Sequence, residues 1–203
     1  MKTQLCRVVL AVVILLPLFS TTGTAQNEAA EPSAASVPTS GPRAEFLTEL
    51  KVEQDKFMAL AQATPAEKYT WRPAEGVRSI AEVYLHVAAA NYNLPKLIGT
   101  PVPASIDVKG IEKSTADKAK VIETMSASFD HLRRAVINMP DANLDNQLDW
   151  FGGKNTQRGI LLFMMRHMAE HLGQSIAYAR MNGIVPPWSE EAKGKSKTAG
   201  KAK

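Results

Sequence analysis

Phe163-Met164-Met165-Arg166-His167-Met168-Ala169-Glu170-His171-Leu172-Gly173-Gln174 reads as helix, and it puts two imidazoles on one face. Four residues along a helix advance about 6 Å and turn about 40°, so His167 and His171 stand one above the other. Met164, Gln174 and Tyr178 continue the same stripe at spacings of three and four. That stripe is polar where a packed helix should be apolar, and a neutral polar group buried without a partner costs about 1–3 kcal/mol. Two explanations stand on spacing alone. The histidines are a half-buried, hydrogen-bonded and inert pair, or they are ligands of one metal ion. In the second case Gln174, one turn beyond His171, would orient a ring or hold a substrate or water. Glu170 lies about 100° away from His171 and, like Arg166, is read as a surface residue. The H-E-x-x-H pattern is absent, so a metalloprotease is unsupported.

Three further stripes precede this one. The first runs from Pro42 to Ala63 with Leu47, Leu50, Gln54, Phe57, Met58 and Ala61 on one side, Gln54 being its polar member at the edge. The second opens with Ser79-Ile80-Ala81-Glu82, a capping-box pattern, and carries Val83, Val87, Ala90, Leu94 and Leu97 before Gly99 and Pro101. His86 flanks its buried face and can turn inward. The third starts near Ser114-x-x-Asp117 and carries Ile122, Met125, Phe129, Leu132, Val136 and Met139 up to Pro140. His131 falls about 100° off that seam and is read as exposed and not a ligand. The fourth helix extends over about 155–182, with Gly183 as a left-handed cap and Pro186-Pro187 beyond. No segment alternates clearly at period two, so the fold expected is all-α, a four-helix bundle without a sheet. The connections 64–78 and 100–113 are long enough for crossovers. Trp71 and Trp150, both in connections, are expected to pack at the end of the bundle.

The ends have a different character. Lys2 and Arg7, the apolar run Val8–Phe19 and the small residues around Thr24-Ala25 form a signal-peptide pattern over residues 1–25. The apolar run is well short of the roughly 20 residues that a membrane span needs. Residues 26–42, rich in Ala, Ser, Pro and Thr, read as a flexible linker, and 190–203 as a Lys-rich disordered tail. One domain, 43–189, remains. The chain has 24 Lys+Arg and 20 Asp+Glu. Two basic residues belong to the leader and five to the tail, so 17 basic face 20 acidic side chains over residues 26–192. The body therefore carries no basic stripe, and nucleic acid is not an expected partner. Cys6, the single cysteine, lies in the leader, so a mature chain offers neither thiolate ligands nor disulfides.

The stretch Trp71-Arg72-Pro73-Ala74-Glu75-Gly76-Val77-Arg78-Ser79-Ile80-Ala81-Glu82-Val83-Tyr84-Leu85-His86, followed downstream by His167-Met168-Ala169-Glu170-His171-Leu172-Gly173-Gln174 and by Tyr178–Pro187, resembles the DinB family. The resemblance covers the whole domain. It implies a DinB/YfiT-like four-helix bundle holding one divalent metal, usually nickel or zinc, through one histidine of the second helix and two of the fourth. Those positions are His86, His167 and His171 here. Family members are often dimeric, so a homodimer is compatible with the resemblance. Some are thiol-dependent transferases or isomerases, and the expected export separates this chain from the cytosolic pool of small thiols.

Together these readings describe an exported (periplasmic or secreted) protein with a three-histidine site and positions left for water or substrate. The expected activity is that of a metal-dependent hydrolase or transferase on an unidentified small molecule. The alternative is a non-catalytic, metal-stabilised binding or stress-response bundle. No carboxylate is placed by the sequence to serve as a general base.

Overall fold

The computed structural model describes residues 36–189. The leader at 1–25, residues 26–35 of the linker and the tail at 190–203 lie outside the described residues. Four long helices form on the four stripes: α1 Gly41–Ala63, α2 Ile80–Asn93, α3 Lys118–Asn138 and α4 Gln157–Met181. The linker's last two residues, Gly41 and Pro42, belong to α1.

Local chemistry sets the helix ends. At the start of α2 the Ser79 hydroxyl accepts from the Glu82 amide at 3.2 Å, while Glu82 accepts from the Ser79 amide at 2.7 Å, completing the capping box. Asp117 caps α3 through the Lys120 amide, and Thr156 caps α4 through the Gly159 amide. Long cationic side chains close two C-termini and tie helices together. Lys118 donates to the carbonyls of Gln62 and Thr64 at the end of α1, both at 2.7 Å. Arg43 of α1 donates to the Val136 and Ile137 carbonyls and to Asp141 beyond α3. Both satisfy terminal carbonyls that have no partner inside their own helix. Gly183, at φ 73°, is the left-handed cap of α4.

Helix α1 packs on α3 and α4, and α2 packs on the same two. The order around the bundle is therefore α1, α3, α2, α4, with sequence neighbours α1 and α2 on a diagonal. Leu50, Phe57, Leu85, Phe129, Leu132 and Met168 are fully buried in the shared core, each contributing about 1.5–3 kcal/mol by leaving water. Phe57 meets Tyr84 and Phe129 at ring-centroid distances of 6.3 and 6.0 Å.

Two expectations need correction. A β-hairpin, β1 Gln147–Trp150 and β2 Gly153–Thr156, pairs antiparallel in the α3–α4 connection. Its turn residues Phe151 and Gly152 both have positive φ, 43° and 80°, as the tight turns of two-residue hairpins demand. His131 is also buried, at 6% relative exposure, and not exposed. The seam placed one partner against α3, but α3 touches both α1 and α2, so its buried arc widens to take in Ser128, His131 and Ala135. Gln54, the polar residue of the first stripe, accepts a hydrogen bond from Arg133 of α3. No helix among the described residues is long and apolar enough to cross a membrane.

Candidate metal centre

The geometry of α2 against α4 brings His86, His167 and His171 together. One ring nitrogen from each lies within 4.8 Å of the others. The Nε2 atoms of His86 and His167 are 3.1 Å apart, close to the edge of about 3.3 Å expected between tetrahedral ligands at about 2.0–2.1 Å from an ion. The centroid of the His171 ring is 4.6 Å from those of the other two.

The outer nitrogens of His86 and His171 are committed elsewhere. His86 Nδ1 stands 2.8 Å from Glu112 Oε2 and donates to it, which leaves Nε2 as a lone pair directed at the other rings. His171 Nδ1 donates to Gln174 Oε1 at 2.9 Å, and Gln174 Nε2 donates in turn to the Tyr178 hydroxyl at 3.0 Å. Trp71 packs edge-on against Tyr178, with centroids 5.4 Å apart. On the other side Phe163 stacks on His167 at 6.2 Å, and Trp150 packs on Phe163 at 4.8 Å. Trp150 thus buttresses His167 through Phe163, and Trp71 reaches His171 through Tyr178 and Gln174.

Burial favours the neutral form of the two α4 rings. Burial pushes the His167 imidazole down to about 4, assisted by repulsion from His171, His86 and the Arg78 guanidinium. Burial also lowers His171, against the hydrogen bond it donates to Gln174, which favours its charged form. Burial acts to raise the Glu112 carboxyl, but hydrogen bonds from Arg78 and His86 outweigh it and hold the group below the usual carboxylate range. Three imidazole nitrogen donors beside a carboxylate partner suit a borderline divalent ion and need no thiolate. The 3.1 Å approach of the two ring nitrogens accommodates a shared proton or a cation, and three ring nitrogens within 4.8 Å of one another fit a metal.

Glu112 is the residue that sequence reasoning missed. It sits in a 3-10 turn, Ile111–Lys113, within an irregular connection, and Arg78 pairs with it at 2.8 Å. No periodicity marks such a residue. Glu170 and Arg166 pair with each other on the surface at 2.8 Å, as expected of solvent-facing residues. His131 packs against Tyr92, with ring centroids 5.3 Å apart, outside the histidine group.

The sequence profile of the DinB superfamily matches residues 49–175. The chain belongs to the DinB superfamily. Among solved structures, this DinB protein is similar to a DinB-like protein from Bacillus subtilis, at 20% identity and a TM-score of 0.56, over 68% of this chain and 92% of that one. A DinB-like protein from Bacillus cereus is similar at 17% identity and a TM-score of 0.61, over 70% and 93% of the two chains. These likenesses establish a shared fold. No curated protein matches the chain.

Proposed function

We propose that this DinB protein is exported and holds one divalent ion, zinc or nickel, through His86, His167 and His171, acting on a small molecule as a metal-dependent hydrolase or group transferase. The observation that carries the reading is the convergence of the three rings beside open space. His86 and His167 line a cavity of about 290 Å³, and the His86 side chain is 25% exposed. A purely structural ion is expected to be enclosed, so the cavity favours catalysis over a non-catalytic tie between α2 and α4.

When bound, the ion supplies Lewis acidity to a substrate oxygen. The rest falls to the chain's own residues. Glu112 and Gln174 each take a ring proton and so fix the tautomers that present Nε2 inward. Phe163 stacks on His167 and Trp150 packs on Phe163, which holds the His167 ring in place. Arg78 holds Glu112 in place and keeps it anionic.

The test is turnover of a chromogenic acetate ester by protein loaded with one equivalent of zinc. Release of the chromophore should exceed the background, stop on chelation and be absent in His167→Ala. Zinc-loaded protein that leaves a panel of esters, amides and thioesters untouched would support the non-catalytic reading.

A further inference from the structure

Two cavities of opposite character meet at Glu112. One, about 540 Å³, is lined by Arg72, Arg78, Lys113, Glu82, Glu112 and Gln174 among others. It adjoins the histidines directly, because Glu112 touches His86 and Gln174 touches His171. The other is the cavity of about 290 Å³ lined by His86 and His167, whose remaining wall includes Leu94, Val108 and Phe163.

The two arginines of the larger cavity are oriented in advance. Arg72 is held by the Val77 carbonyl at 2.7 Å and by Glu82 at 3.2 Å. Arg78 is held by Glu112 at 2.8 Å. Lys113 is exposed and has no acidic partner among the described residues. Three cations against two carboxylates leave an excess of positive charge, and a divalent ion at the adjoining histidines would add to it, so the cavity suits an anionic group. Cations already fixed by neighbours lose little freedom on meeting a ligand.

We infer that the substrate is a small organic carboxylate with an apolar body. Its carboxylate sits among Arg72, Arg78 and Lys113, and its apolar part lies against Phe163, Leu94 and Val108 across the histidines. The inference rests on the triad being a catalytic metal centre, and it names the substrate class of that centre.

Calorimetric titration of zinc-loaded protein with 4-phenylbutyrate, its neutral amide and inorganic phosphate provides the test. The acid should bind at least about tenfold more tightly than the amide, a difference of about 1.4 kcal/mol, and more tightly than phosphate. Arg72→Gln with Lys113→Met should remove most of that preference. Lys113→Met alone, at an exposed position, should weaken the acid about threefold without affecting the fold. Equal binding of acid and amide, tighter binding of phosphate, or unchanged affinity in the double variant would overturn the inference. The zinc content of the same samples reports separately on the metal reading: protein that takes up zinc but does not discriminate loses only the substrate class, and protein that takes up none loses both.

Discussion

Glu112 reaches His86 from 26 residues along the chain, and its position links a charged surface loop to the interior of the bundle. Partners of this kind typically change metal affinity 10- to 100-fold. Glu112→Ala should therefore weaken zinc binding by about that range in a competition titration with a chelator, while Glu112→Gln should recover part of it by still accepting from Nδ1. Equal affinity in all three proteins would mean that the carboxylate is only a loop anchor. His131 makes the opposite case. Its Nε2 is buried with no hydrogen-bond partner among the described residues, a situation that costs about 1–3 kcal/mol. His131→Phe should raise the thermal midpoint while leaving metal stoichiometry unchanged; a lost equivalent of metal would place the site elsewhere. The sequence made His167 and His171 legible because a helix converts spacing directly into a shared face. Glu112 stayed hidden because nothing local to an irregular turn says which helix it will lean on.

Helices were legible from their caps as much as from their stripes. Ser79 and Glu82 form the capping box that their spacing predicts, and this box starts the helix that carries His86. Ser79→Ala should cost about 1 kcal/mol in a urea titration, the usual value of a lost N-cap, and a change under about 0.2 kcal/mol would show that tertiary packing alone sets the helix start. The hairpin escaped detection because four-residue strands are too short to stand out. Its signal was present, since Leu148 and Trp150 pack on the core while Gln147 and Asp149 face outward. His131 was misread for a related reason: a stripe shows the nearest partner of a helix, and α3 has two. Helix α4 contributes two groups to the pH response, alongside the buried His131 of α3, which burial also lowers. The His167 imidazole at about 4 lies below the free value near 6.5, and His171 is lowered as well. The unfolded chain therefore binds more protons than the native one between these values, so metal-free protein should lose stability as pH falls from about 6.5 toward 4. Urea midpoints of metal-free protein at neutral and mildly acidic pH check this, and a midpoint that rises on acidification would contradict it.

Across the whole molecule, the polar stripe of α4 and the single inward histidine of α2 make sense only together. A bundle of this size could fill the space between those helices with apolar side chains. This one instead spends it on three imidazoles, two of them, His86 and His171, with outer nitrogens held by Glu112 and Gln174, and all three with a ring nitrogen within 4.8 Å of the others. The family membership, the two cavities and the paired residues around them all gather at that point. Elemental analysis of protein purified without a histidine tag is the most direct measurement. The wild-type chain should carry about one equivalent of a divalent ion and His167→Ala almost none, whereas wild-type protein with less than about one-tenth of an equivalent after exposure to zinc and nickel would contradict the metal centre.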